Sequence, residues 1–317
     1  MIAAMSLTIR AMRENDVDAA DKVFRLAFGT HFGLSDPLAF SGTARTIEFR
    51  RRTWPEGALL AEQDGSIAGI AISVRWGGLG IFGPLAVHPQ QWRSGVGRQL
   101  LEAMMPTYER WQCRAAALFT FPASLTHVGL YQSFGFWPRS LTALMSRPVT
   151  GPSPVPEARS LTAMSETERK DAIGQCAAIA DALYAGMDLS DEIAAVVGLP
   201  RADAIALVDG SRVTGFVICH CGPGSEADTG AVSAKFAAAR PGANAGRDFR
   251  RLLDAANDFA QRNGASKLNA SVNMGAMEAY RLMLQMGFRS YMQGVAMHRP
   301  WIELYDRPEI FALEDWR

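Results

Sequence analysis

The sequence predicts an α/β (α+β) chain of two tandem, similarly built domains, each a mixed, mostly antiparallel central sheet flanked by helices. Three observations predict it. Segments with strand alternation and segments with helical spacing interleave along the whole chain. The stretch Thr150-Gly151-Pro152-Ser153-Pro154-Val155-Pro156 breaks every period near the middle. Landmarks on either side of it recur at one offset: adding 152 to Pro89, to Leu100-Leu101 and to Gly135-Phe136 gives Pro241, Leu252-Leu253 and Gly287-Phe288. The division therefore falls at residues 1–150 and 151–317, and 317 residues suffice for two real cores.

In the first half, residues 7–10 read as a short strand. Residues 14–28 are helical, with Val17, Ala20, Val23, Phe24 and Phe28 on one stripe. A second helix is expected over 37–51. Residues 59–61 and 67–74 form a hairpin around Asp64-Gly65, the pair that a tight primed turn favours. Gly77-Gly78 leads into a strand at 79–87. A glycine turn and a helix toward Gln112 follow, with Pro106 expected to kink or shorten that helix. Strand 115–121, helix 124–134 and strand 136–145 complete the half. The second half repeats this order with a helix at 172–185, a hairpin at 204–219 around Asp209-Gly210, a helix at 243–263, a strand at 267–272, a helix at 276–286 and a strand at 291–297.

Bulk properties remove several classes of function. Lys plus Arg and Asp plus Glu both number 32, so no net charge draws the chain to nucleic acid or to an anionic membrane. No apolar run reaches the roughly 18 to 20 residues that span a bilayer. Residues 1–7 are apolar but lack a basic leader region and are followed at once by Arg10, Arg13 and Glu14. The four cysteines, Cys113, Cys176, Cys219 and Cys221, form no disulfide framework, which fits a reducing cytoplasm.

The segment Trp92-Arg93-Ser94-Gly95-Val96-Gly97 carries the clearest chemistry. It follows the apolar strand end Leu85-Ala86-Val87 and opens the helix at Arg98. Gly95 and Gly97 let the backbone approach an anion while the free N–H groups of the helix N-terminus point at it. Arg93, Ser94 and Arg98 add donors suited to phosphate oxygens, so a pyrophosphate-bearing ligand is expected here.

The first half resembles the GNAT acetyltransferase superfamily, whose cofactor motif is Gln/Arg-x-x-Gly-x-Gly/Ala after the fourth strand. Gly95 and Gly97 match both small positions, and Trp92 stands where Gln or Arg is expected. The later run from Ser124 to Phe136 resembles the family's Asn-x-x-Ala-x-x-Leu-Tyr-x-x-x-Gly-Phe. Tyr131, Gly135 and Phe136 match in place, whereas Ser124 replaces Asn and His127 replaces Ala. The resemblance implies an acetyl-CoA-dependent N-acetyltransferase acting on a small-molecule amine. Leu85, Ala86, Val87, Arg93, Ser94, Gly95, Val96, Gly97, Arg98, Ser124 and Tyr131 would contact acetyl-CoA. A backbone N–H near Ala86 or Val87 would polarise the thioester carbonyl, and Tyr131 would protonate the leaving thiolate. His127 or His31, a water relay, or an amine that is already neutral would meet the need for a base. Phe28, His31 and Phe32 would wall the acceptor pocket.

At the same offset, Arg247 and Phe249 replace the two glycines and Met283 replaces Tyr131, which predicts a degenerate second domain. Its bulky side chains would fill the phosphate space, leaving the half to complete the pocket or scaffold the pair. Cys219-His220-Cys221 invites a metal, but on a strand the two thiols share one face and the imidazole points to the other, so no metal site is expected. Gly222-Pro223-Gly224-Ser225 reads as a hairpin connection. Other functions consistent with the pattern are a non-catalytic acyl-CoA sensor and a tRNA-dependent aminoacyl transferase; zero net charge disfavours the latter. A pseudo-dimeric monomer and a homodimer are both compatible with the duplication.

Overall fold

A computed structural model describes residues 7–151 and 153–317. The N-terminal segment 1–6 and Pro152 of the proline-rich stretch lie outside the described residues, and with them most of the segment read above for a leader. The first half runs β1 (Leu7–Ala11), α1 (Val17–His31), α2 (Thr46–Thr53), β2 (Ala58–Gln63), β3 (Ser66–Trp76), β4 (Leu79–Val87), α3 (Val96–Arg110), β5 (Ala115–Thr120), α4 (Leu125–Gln132) and β6 (Trp137–Pro148). The second runs β7 (Ala158–Ser160), α5 (Glu166–Leu183), α6 (Ser190–Val197), β8 (Asp203–Asp209), β9 (Arg212–His220), β10 (Ala231–Ala239), α7 (Ala245–Arg262), β11 (Lys267–Asn273), α8 (Met277–Gln285) and β12 (Arg289–Arg299). These are the same ten elements in the same order, followed by a short strand β13 (Ala312–Glu314).

All the strands form one sheet, in the order β1-β2-β3-β4-β5-β12-β6-β11-β10-β9-β8-β7, with β13 beside β10. The order is a palindrome of the duplicated elements, and its centre is an exchange. β12, the last repeat strand of the second half, pairs with β5 of the first, from Val295↔Thr120 to Arg299↔Ala116. β6 in turn pairs with β11 of the second half, from Thr142↔Asn273 to Pro148↔Lys267. β6 and β12 pair with each other along the pseudo-symmetry axis. The division at residue 150 thus marks the sequence repeat, whereas each half of the sheet takes its sixth strand from the other copy. Among the described residues only β4–β5 and β10–β11 pair in parallel.

Local chemistry explains the boundaries. Asp64 and Gly65 both take positive φ (51° and 74°), as a two-residue primed turn requires. The second helix starts at Thr46, not at residue 37, because Asp36 caps a separate short turn at Pro37–Ala39 and positive φ at Ser41 and Gly42 interrupts the chain. Pro106 sits inside α3 without ending it. Burial of Leu100, Leu101, Met104 and Tyr108 on the same helix outweighs the one lost hydrogen bond. β10, an alanine-rich strand, carries no alternation because it is buried almost throughout.

The exchange makes a specific prediction. Calorimetry of the full chain shows one cooperative unfolding transition, and residues 7–150 expressed alone yield no folded monomer by circular dichroism and gel filtration, since β5 loses one neighbour and β6 loses both.

Candidate active site

The site in the first half is built where β4 and β5 part. Their parallel pairing extends only from Leu79↔Ala115 to Phe82↔Leu118, while β4 continues to Val87. At the parting point β4 bulges. Ala71 faces Leu85 and Ser73 faces Phe82, so Gly83 and Pro84 together oppose Ile72. Beyond the bulge, the His88 N–H donates to the Ala68 carbonyl (2.8 Å). Strand alternation then turns the Ala86 N–H toward β3 as well and leaves those of Leu85 and Val87 facing the gap. Of the two N–H groups considered from the sequence, Val87 faces the opening and Ala86 does not.

The glycine turn borders the same gap. Gly95, the N-cap of α3, has φ +87°, a left-handed conformation that favours glycine. Val96 anchors the first turn in the core. Gly97 is ordinary helix, yet the nearest atoms to a Cβ placed there would be Val87 Cγ2 at 3.5 Å, Leu85 Cδ2 at 3.8 Å and Leu130 Cδ2 at 4.0 Å. Nothing in the protein's own packing demands glycine at this position. Trp92, the residue discordant with the motif, donates from its indole N–H to the Val87 carbonyl (2.8 Å) and so ties the turn to the strand end. Ser94 Oγ donates to the Gln91 carbonyl (2.6 Å), and Arg98 donates to Ser133 Oγ (3.0 Å) with its guanidinium over the Phe134 ring. Arg93 makes no side-chain hydrogen bond among the described residues.

On the far side, α4 presents Ser124, His127 and Tyr131. Ser124 Oγ lies 2.9 Å from His127 Nδ1. The His31 ring, from the end of α1, lies 5.9 Å from that of His127 and 6.0 Å from Phe121, onto which it stacks. Two histidines chosen separately from the sequence are therefore neighbours. Burial lowers the His127 pKa, and the proximity of His31 adds to the effect. Phe32 packs edge-on to Phe121 (5.4 Å) and stacks on Phe40 (5.7 Å), which also stacks on Phe28 (5.3 Å). Phe28 faces this aromatic run from the core side, while Phe32 is more open. Phe121 and Phe40 were not singled out from the sequence; the position of Phe121 immediately after β5 was the available signal. Tyr131 is buried between Phe82 and Phe136, and its hydroxyl makes no hydrogen bond among the described residues. Burial pushes that hydroxyl above the ordinary tyrosine value, so it holds its proton at neutral pH.

Residues 25–136 match the model of the acetyltransferase (GNAT) family. That segment is a GNAT-family domain. Solved structures extend the likeness in fold to the whole chain. A Pyrococcus horikoshii protein assigned as an acetyltransferase superimposes with a TM-score of 0.70 at 14% identity, over 100% of this chain and 97% of that one. A GCN5-related N-acetyltransferase from Sphaerobacter thermophilus gives 0.61 at 16% identity, over 94% of this chain and 98% of that one. The GCN5-related glucosamine N-acetyltransferase region of a fungal multi-domain β-N-acetylglucosaminidase gives 0.63 at 13% identity, over 94% of this chain and 38% of that one. No curated protein matches the chain by sequence. GNAT domains transfer acyl groups from acyl-CoA, and the gap between β4 and β5 with its glycine turn lies inside the matched segment.

In the second half of this GNAT-fold chain the corresponding gap is filled. β10 and β11 pair only from Ala231↔Lys267 to Ala234↔Ala270. Beyond that point β13 lies against β10, at Phe236↔Glu314, Ala237↔Leu313 and Ala238↔Ala312, and the Ala239 N–H donates to the Phe311 carbonyl (3.0 Å). The Phe311 ring sits on the first turn of α7, where a Cβ on Gly246 would come within 2.9 Å of it. This corrects the expected obstruction. Phe249 points inward and is fully buried, and Arg247 turns outward to pair with Asp248, so neither replaced glycine fills the space. Met283 is buried, as Tyr131 is in the first half. Cys219 and Cys221 join the core beneath α7, while His220 faces the other way, to Glu192 Oε1 at 3.3 Å. Among the described residues no group of three metal-ligating side chains converges, and no helix is long and apolar enough to cross a membrane. Two surface cavities of about 310 and 450 Å³ lie elsewhere and include none of the residues discussed for the site.

His127 gives a direct test of the site's electrostatics. Its pKa in the folded state lies below the unfolded value, so it favours the fold above the unfolded pKa, and that contribution fades as pH falls. NMR titration of its ring protons places the midpoint below about 6.5, and His31→Ala moves it upward.

Proposed function

We propose that the first half is an acetyl-CoA-dependent N-acetyltransferase for a small amine, and that the second half binds no CoA. The observation that carries this reading is the contrast between two equivalent gaps. The first is bordered only by the side chains of Leu85, Val87 and Leu130 beside Gly97, with space there for a Cβ at ordinary contact distance, and the second is occupied by the backbone of β13 and by Phe311. The pyrophosphate would lie on the N–H groups of the Gly95–Gly97 turn, beside Arg93, Ser94 and Arg98. The donors of Ser94 and Arg98 are held within the protein, so they would turn toward the phosphates when the ligand binds.

The thioester would enter the gap between β4 and β5, where the outward N–H of Val87 or Leu85 stabilises the oxyanion. The neutral amine nitrogen bonds to the acyl carbon, the C–S bond breaks, and the thiolate takes a proton from the Tyr131 hydroxyl. The amine's surplus proton leaves to His127 or His31, or through water. With its pKa held below the free value by burial, His127 is uncharged at physiological pH and so has a ring nitrogen free of a proton. The aromatic run through Phe32 and Phe121 would form the acceptor wall. The four cysteines are free, which fits a reducing cytoplasm. The strand exchange supplies in one chain the packing of a dimer, which supports a pseudo-dimeric monomer.

Screening a panel of primary amines for acetyl-CoA-dependent thiol release tests the reaction. Tyr131→Phe lowers kcat by roughly 100-fold or more with the Kd for CoA unchanged. Gly97→Ala keeps the fold, because its Cβ would sit at ordinary contact distance from its neighbours, but takes the space beside the turn and weakens CoA binding roughly tenfold or more. Calorimetric binding of CoA that is unweakened by Gly97→Ala and tightens when Phe311 is replaced by alanine would place the ligand in the second half and overturn the reading.

A further inference from the structure

Arg50, on α2, is fully buried among the packed elements of both halves. Its Nε and Nη2 donate to the two carboxylate oxygens of Glu226 (2.5 and 2.9 Å), a residue of the β9–β10 connection in the second half. Its Nη1 donates to the Gly83 carbonyl (2.7 Å), and Nη2 also reaches the Arg317 carbonyl. Lys235 Nζ, on β10, donates to Glu226 Oε2 (2.7 Å). The Glu226 backbone N–H donates to His220 Nδ1 (3.2 Å), and His220 in turn meets Glu192. Burial raises the Glu226 pKa and the two cations lower it, with the net direction downward, so the carboxylate is charged. The connection is itself seated on the first half, since the Arg45 N–H donates to the Ser225 carbonyl (2.8 Å) and that of Thr43 to Asp228 Oδ1 (2.9 Å).

The neutralisation of Arg50 needs only Glu226. Its third donor goes to the Gly83 carbonyl in the β4 bulge, beyond the last residue of β4 that pairs with β5. That bulge sets which way the N–H groups of Leu85 and Val87 face. We propose that Glu226 and Arg50 are positioning residues for the first-half site: the second half holds Arg50 through Glu226, and Arg50 holds the Gly83 carbonyl and hence the N–H groups of Leu85 and Val87. The second half is then a working part of the first half's active site, with no ligand of its own. For catalysis, the proposal rests on the reading of that gap as the acyl-CoA site.

The test separates the two. Hydrogen exchange of the unliganded full-length protein is followed in peptides covering residues 82–87. Glu226→Gln, which keeps the side-chain shape but not the charge, and Arg50→Lys, which keeps the charge but not the three-way fork, each speed exchange there roughly tenfold, with β1 and α7 unaffected. Lys235→Met, which leaves the Arg50 fork intact, stays within about twofold of wild type. Exchange at residues 82–87 that matches wild type in both Glu226→Gln and Arg50→Lys overturns the strut. Acetyl-CoA labelled with ¹³C at the carbonyl supplies the second arm. Its bound C=O stretch is shifted down in wild type, and that shift is lost in both variants while affinity stays within about threefold. Failure of wild type to bind acetyl-CoA sinks the functional reading alone, because the exchange arm still decides the strut. A downshift retained in both variants overturns the catalytic role of the strut.

Discussion

The exchange of β6 and β12 is the constraint from which the rest of the architecture follows. Each half supplies five strands and receives its sixth from the other, so neither half closes its sheet by itself. An unpaired β5 or β11 would present a row of free backbone groups at the sheet centre, which is both costly and prone to aggregate. With the exchange made, the two parallel pairs β4–β5 and β10–β11 fall in symmetric positions. Both open into gaps beyond the last parallel pair, because in each the earlier strand outruns the ladder.

What distinguishes the two gaps is what fills them. In the first, among the described residues no strand adds to β4 beyond the bulge at Gly83-Pro84, and the side chains of Leu85, Val87 and Leu130 line the space beside Gly97. In the second, the chain's own β13 lies against β10, and Phe311 covers the start of α7. Its backbone supplies the hydrogen bonds that β10 would otherwise lack, which removes any need for an outside partner. Beyond β13 the chain runs on to the first half, where the Trp316 carbonyl would lie 3.5 Å from a Cβ on Gly83 and the Arg317 carbonyl meets Arg50. One terminal segment thus closes the second gap and contributes to the floor of the first. Between the halves the buried cations Arg50 and Lys235 share the Glu226 carboxylate, and Asp315, paired with Arg317, adds a second anion that acts on both; charges paired in this way tolerate burial where a single charge does not.

Most elements were legible because their signals are local. Asp64-Gly65 and Asp209-Gly210 marked the hairpins through turn chemistry, an amphipathic stripe marked α1, and the glycine turn marked the start of α3. The elements that were missed lacked a local signal. β10 is uniformly small and buried, α6 and β7 are short, and β13 is only three residues long and exists because β10 offers it an edge. In the site, the glycine turn, Ser124, His127, Tyr131, His31 and Phe32 came from motif spacing and an expected pocket wall. Phe121, Phe40, Arg50 and Glu226 did not, because each matters through a neighbour distant in sequence. Arg50 and Glu226 are 176 positions apart.

The sequence by itself determined the duplication, the order of elements in each copy, and the glycine turn that sets the first copy apart, because periodicity, turn residues and helix starts are fixed by neighbours within a few positions. Tertiary structure alone decided which copy owns each central strand, what occupies the second gap, and that the second half reaches the first half's bulge through Glu226 and Arg50. Those outcomes depend on which backbone edges and buried charges meet across the fold, and pairing of that kind leaves no periodic trace in the chain.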